Sequence, residues 1–328
     1  MLWSCGRTLI AMVTTVAFLA GSAPALAADT IRAGLQASGT FSWIIRAIDY
    51  FGIDEQVGLN IEATTYATKQ ATELALMAGE VDVTVDDFVN VVLMRSNGVP
   101  VKAVYPYSLA LGGLVVRADS DIRSVADLRG RVIGASSMSD KSLLVLRALA
   151  KAKYGFDPQF DSQTISAAPP LMTQLLLRGE MDAALPFWHF VARMVGSGEF
   201  REVISVHEML RELGMSSELP NLIILAHDGA DRQAVAKFLR AMDMAVARMK
   251  TDDGIWEIIL DEGLYSLPDP SLMAAVRQRW ELSLPSQWNS EIVRGLVELV
   301  EQLVAVAGSD LVGIERLDPD AYSTEFAF

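Results

Sequence analysis

Thiol chemistry is almost missing from this chain, whose 328 residues include a single cysteine, Cys5. A disulfide framework needs pairs and a thiolate metal site needs several ligands, so neither is available. Histidine is nearly as scarce: His189, His207 and His227 are separated by 18 and 20 residues, which matches no local metal-binding spacing. Positive charge is in deficit, with 27 Lys and Arg against 41 Asp and Glu and a formal net charge of −14. Nucleic-acid binding is driven by basic side chains displacing counterions from phosphates, and no basic cluster exists here to do it. After residue 27 there is no apolar run of about twenty residues, so no membrane span is expected. The hydrolase elbow G-x-S-x-G and the P-loop are both missing. His207-Glu208 starts like a zinc-protease motif, but Arg211 stands where the second histidine is required. No cofactor or metal is expected from these patterns.

The first residues have the form of an export signal. Arg7 supplies a positive start, residues 9–20 an apolar stretch, and Ala25-Leu26-Ala27 the small-x-small cleavage pattern. Cleavage is expected after Ala27. Removing 27 of 328 residues leaves 301, enough for two packed domains, and loss of Arg7 takes the charge to −15. Cys5 precedes the apolar stretch, the wrong side for a lipidated cysteine, so the expected product is an exported, unanchored, cysteine-free protein.

That product repeats itself at an offset of one hundred residues. Gly34 answers to Gly134, Thr64 to Thr164, Ala67 to Ala167, Leu76 to Leu176, Gly79-Glu80 to Gly179-Glu180 and Asp82 to Asp182. The matched positions share one pattern of elements. Residues 31–35 and 131–134 read as strands, each followed by a small polar loop and a helix; in the first helix Phe41, Ile44, Ile45 and Ile48 have the i, i+3, i+4, i+7 spacing of one buried face. Residues 73–78 and 173–178 read as helices ended by glycine, before apolar strands at 81–85 and 181–185. Ser124-Val125-Ala126-Asp127 is a capping box, with Gly130 closing its short helix.

Alternating strands and helices of this kind predict two doubly wound, parallel α/β lobes. The similar stretches 114–119 and 222–228 are expected to cross between them as a two-strand hinge. One lobe then comprises 28–117 and 222–328, the other 118–221, with a helical C-terminal third whose work is packing.

Ligands of such sheets sit beyond the carboxyl ends of the strands, so the repeat nominates a site. The loops after the first matched strands offer Gln36, Ser38, Gly39 and Thr40 in one lobe and Ser136, Ser137, Met138 and Ser139 in the other. Each precedes a helix, whose free N–H groups favour an anion, although the same serines would also serve as simple caps. The next strand tips differ: Asp86-Asp87-Phe88 aligns with Pro186-Phe187-Trp188, where the aromatics would stack on a flat ligand or enclose an alkyl chain, or else lie in the core. Tyr107 is a further wall candidate. Asp82 and Asp182, being shared, are read as structural. Asp86 discriminates between ligands, since a carboxylate about 4 Å from an anion costs about 4 kcal/mol at an effective dielectric of 20. Strand alternation predicts that Asp86 and Asp87 do not both face the cleft. No arginine lies in these loops. Trp188→Ala is expected to weaken binding more than stability.

The stretch 31–34, the unit 76–82 with its second copy and, above all, residues 121–134 (Asp-Ile-Arg-Ser-Val-Ala-Asp-Leu-Arg-Gly-Arg-Val-Ile-Gly) resemble the solute-binding proteins of bacterial ABC importers, in the nitrate, sulfonate, taurine and thiamine-precursor group. The resemblance covers about 31–226 well and the tail loosely. It implies a type 2-like periplasmic binding protein, a monomer without enzymatic activity, that closes over a small sulfonate-, taurine- or aminopyrimidine-like solute and delivers it to an inner-membrane permease and its ATPase. Closure needs a ligand that touches both lobes, because only differential affinity shifts the equilibrium. An enzyme of the same fold, or a metal-binding carrier, is the alternative; His189, beside Trp188, keeps the first open.

Overall fold

The computed structural model describes Met1 and residues 28–109, 112–314 and 317–326. The expected signal segment, with Cys5 and Arg7, lies outside the described residues. Ten strands form two five-stranded sheets: β1 (Asp29–Gln36), β2 (Leu59–Tyr66), β3 (Val83–Asp87), β4 (Val101–Ser108), β5 (Gly113–Arg117), β6 (Val132–Ala135), β7 (Gln163–Ser166), β8 (Ala183–Leu185), β9 (Phe200–Ser205) and β10 (Leu222–His227). Their orders are β2-β1-β3-β10-β4 and β7-β6-β8-β5-β9, the same topology twice.

The repeat is the scaffold of both lobes. Gly79 and Gly179, at φ +68° and +69°, end the helices Lys69–Met77 and Pro169–Leu177 in the left-handed conformation that side chains resist. Asp82 Oδ2 accepts the Arg32 N–H at 2.8 Å, and Asp182 Oδ2 accepts the Val132 N–H at 2.7 Å. Each shared aspartate thus ties the start of its strand β3 or β8 to the neighbouring β1 or β6. These are structural bonds, away from the strand tips.

Three expectations need correction. The sheets are mixed, not parallel, because β10 runs antiparallel to β3 and β4, and β5 antiparallel to β8 and β9. Neither β5 nor β10 spans the lobes: β5 joins the second sheet, although it was grouped with 28–117. Leu114, Val115 and Val116 are all fully buried, as an inner strand requires. The chain crosses between the end of β4 at Ser108 and the start of β5 at Gly113; Gly112, at φ +93°, already accepts the Val206 N–H of the second lobe, and a Cβ on Gly113 would lie 2.8 Å from the Ile204 carbonyl oxygen. Finally, the C-terminal helix Ser290–Ala307, grouped with the first lobe, packs on the helix Lys141–Leu149 of the second.

Two apolar clusters dominate. One joins β1 to the helices Phe41–Tyr50 and Arg232–Met249 through Ile31, Ile44, Ile48 and Phe238, and takes in Trp188 from the second lobe. The other runs through both lobes and is completed by Leu296, Leu299, Val300 and Leu303. No helix among the described residues is long and apolar enough to cross a membrane.

Candidate functional site

A cavity with about 60 Å³ of free volume, room for a few waters, lies between the lobes. The first lobe contributes Gln36, Gly39, Thr40 and Phe41 from the end of β1 and the start of the following helix, then Thr84 to Asp87 of β3, with Tyr107 of β4 and Lys69. The second contributes Asp140, Lys141 and Ser142 at a helix start and Pro186 to His189 beyond β8.

A buried ionic network crosses the cleft. Asp87 Oδ2 bonds the Lys69 ammonium and accepts the Lys141 backbone N–H at 2.9 Å, while its Oδ1 lies 3.3 Å from Lys141 Nζ. Asp87 therefore holds a lysine from each lobe and the first amide of the helix Lys141–Leu149. Lys69 Nζ is also 3.2 Å from Asp86 and 3.6 Å from Glu73. Asn90 Nδ2 donates to Asp86 and to Glu73, and the Asp87 N–H to Asp86 Oδ1 at 2.7 Å. A second bridge runs from His189 Nε2 to the carbonyl oxygen of Ser38, at 2.8 Å.

Burial and charge tune these groups apart. Burial would raise the Asp87 carboxyl, but Lys141 and Lys69 outweigh it and hold it down at about 2. Asp86 is pushed up, by burial and then by Asp87, and Lys69 stays charged because the surrounding carboxylates overcome its desolvation. Burial, with the charge of Asp86, lifts Glu73 to about 7. Desolvation lowers His189 to about 3, so its imidazole is neutral.

The family model described as NMT1/THI5 like matches residues 49–252, more than half of the chain. The chain belongs to the NMT1/THI5-like family. No curated protein matches its sequence. Among solved structures, it is similar to the alkanesulfonate-binding protein SsuA from Xanthomonas axonopodis pv. citri bound to MOPS, at 15% identity and TM-score 0.69 over 91% of this chain and 99% of that one. It is also similar to the periplasmic aliphatic sulphonate binding protein SsuA from Escherichia coli, at 17% identity and TM-score 0.63 over 88% and 90%. The periplasmic nitrate-binding protein NrtA from Synechocystis PCC 6803 follows at 14% and 0.61 over 79% and 71%. At such identities the likeness establishes the fold.

Within this NMT1/THI5-like protein the residues nominated from sequence divide. Gln36, Gly39, Thr40, Asp86, Asp87, Tyr107, Pro186, Phe187 and Trp188 line the cavity, and Tyr107 pairs its hydroxyl with Thr40 Oγ1 at 2.9 Å. Asp86 and Asp87 both line it, against expectation: although both remain paired to β10, the two carboxylates converge on the Lys69 ammonium. Phe88 does not: it is fully buried in the core shared with Val91 and Val92. Ser38 offers its carbonyl, not its hydroxyl. Ser136, Ser137, Met138 and Ser139 do not line this cavity either, although Ser38 and Ser136 line an adjoining one that shares Gln36, Lys69 and Phe187 with it. Ser136 Oγ donates to Asp140 at 2.5 Å, Ser137 and Ser139 pair at 3.1 Å, and Met138 is exposed, so this loop braces the helix start.

The lysines were missed, although a signal existed. The offset of one hundred aligns Lys141 with Phe41 and Lys69 with Pro169, and all four are the first residues of helices. Each lobe thus carries its lysine at a different one of its two matched helix starts.

The raised Glu73 has a measurable consequence. Its folded value lies above the ordinary 4.5, so the stability that its protonation contributes is complete below pH 4.5 and lost as pH rises through about 7. The loss is about 3 kcal/mol. Glu73→Gln should flatten this slope and be the more stable form at about pH 8, as chemical denaturation at about pH 5 and 8 would measure. A wild-type slope retained in the variant would contradict this account.

Proposed function

We propose that this protein is the periplasmic solute-binding component of an ABC importer. It acts as a monomer, closes over one compact organic solute, sulfonate- or taurine-like or aminopyrimidine-like, and presents it to a membrane permease driven by an ATPase. One observation carries the reading: the cavity is walled by strand ends and helix starts of both lobes, and its ionic network spans them through Asp87 and Lys141. A solute seated there gains contacts only when the lobes are together, which is the differential affinity that closure requires. The folds of proteins named as sulfonate and nitrate binders support it, as does the N-terminal export pattern.

Equilibrium titration with a solute panel, followed by calorimetry and tryptophan fluorescence, tests this. One solute should bind per chain and be recovered chemically unchanged, and a hundredfold excess over its Kd should add about 2.7 kcal/mol of stability. Consumption of the solute would replace the carrier reading with an enzymatic one.

A further inference from the structure

Both partners of the contact that spans the cleft, Asp87 and Lys141, are held from behind by the same stretch of chain. The helix Ser290–Ala307 turns Leu296, Val300 and Leu303 into the apolar cluster that contains Leu143 and Leu146 of the helix Lys141–Leu149. At its end the Ala307 carbonyl accepts from Lys151 Nζ, a further anchor on the second lobe.

Residues 317–326 lie instead on the first lobe. Tyr322 forms a parallel bridge with Ala103 of β4, the Ser323 N–H donates to the Ala103 carbonyl at 2.8 Å, and Arg95 Nε donates to Asp318 at 2.9 Å. Trp288, fully buried, ties the two parts together, its Nε1–H donating to the Ser323 carbonyl at 2.8 Å.

The Tyr322 hydroxyl donates to the carbonyl of Phe88, the residue after Asp87. The Phe88 N–H donates in turn to the Asn221 carbonyl at 3.1 Å, and the Asn221 N–H to the Ser108 carbonyl at 2.9 Å. Ser108 ends β4 and Asn221 precedes β10, so Tyr322 reaches both lobe crossings and the strand tip that carries Asp87. Lobe opening carries the helix Ser290–Ala307 away with the helix on which it packs. Tyr322, only 7% exposed, is then pulled from its seat against Ala103 and Phe88, and exposing a buried ring is unfavourable.

We infer that the C-terminal segment from Trp288 onward is a strap beside the two crossings that confines lobe opening, with Tyr322 as the positioning residue that sets Asp87 opposite Lys141. The strap acts on the chain without a solute, and so independently of the solute proposal.

Pulsed electron paramagnetic resonance tests this, with nitroxide labels at Leu74→Cys and Leu171→Cys. These side chains are 63% and 48% exposed, on corresponding helices of the two lobes that flank the Gln70–Ser166 contact. Past residue 5 the chain has no cysteine, so only these sites are labelled. Tyr322→Phe keeps the buried ring and loses only the hydroxyl bond, about 1 kcal/mol, so the longer-distance population should rise about fivefold. Tyr322→Ala should raise it further. Ile48→Ala, in the first lobe's apolar cluster, should lower stability and leave the distances unchanged. Unchanged distances in both Tyr322 variants would overturn the inference. So would an equal shift in Ile48→Ala, which would reduce the strap to a general contribution to stability.

Discussion

Asp87→Ala is expected to destabilise the protein by about 3–5 kcal/mol, because it leaves buried cations and an amide without their acceptor. Asp87 is 1% exposed and bonds the ammonium of Lys69, that of Lys141 and the Lys141 N–H. Lys69 would retain Asp86 and Glu73, but Lys141, with a side chain 9% exposed, would keep no carboxylate partner in the network. Asp87→Asn separates the contributions, since the amide oxygen still accepts from the helix and only the charge is lost. It should be intermediate in denaturant titrations. The two lysines come from different lobes, so both variants should also open the cleft, seen as a larger radius in small-angle scattering. A stability within about 1 kcal/mol of wild type for Asp87→Ala would show that the network contributes little. The same group sets an acid limit. Its folded value, about 2, is depressed below the ordinary 3.8, so its contribution is present above pH 3.8 and lost as pH falls through about 2. That loss amounts to about 2 kcal/mol.

Trp188→Ala is expected to cost about 3–5 kcal/mol and to weaken solute binding by at least tenfold. The sequence alone suggests a cleft wall whose loss weakens binding more than stability, with a core position as the alternative; Trp188 is 5% exposed and belongs to the first lobe's apolar cluster. Its ring lies edge-on to Trp43 at 6.1 Å, while its backbone begins a helix of the second lobe. One side chain therefore fills a core in one lobe, belongs by chain to the other, and lines the cavity. Trp188→Phe preserves part of that burial and should retain most of the stability. Thermal unfolding and titration of both variants test this; loss of affinity without loss of stability would restore the simpler wall reading.

Local pattern made much of the fold readable. The period of helix Phe41–Tyr50, the left-handed glycines after the helices Lys69–Met77 and Pro169–Leu177, and the capping box at Ser124, whose N–H bonds the Asp127 carboxylate at 2.9 Å, all follow from interactions a few residues long. Strand direction was not readable in this way. β5 and β10 are as apolar as parallel strands, and antiparallel pairing follows from where the chain crosses between lobes. In the cavity the strand tips could be named from the repeat, yet their partners could not. Phe88 follows two cavity residues and turns into the core, whereas Lys69 and Lys141, which look like solvated helix starts, are buried at 5% and 7% exposure.

The sequence by itself determined the two-lobed plan, its shared glycines and aspartates, and the strand ends at which the copies differ, because propensity and periodicity act locally. Only the tertiary structure decided the character of the cleft. Lys69 and Asp87, 18 residues apart, meet when the first lobe folds, whereas Lys141, 54 residues beyond Asp87, reaches it only across the cleft, where the low dielectric of the buried site strengthens the pairing.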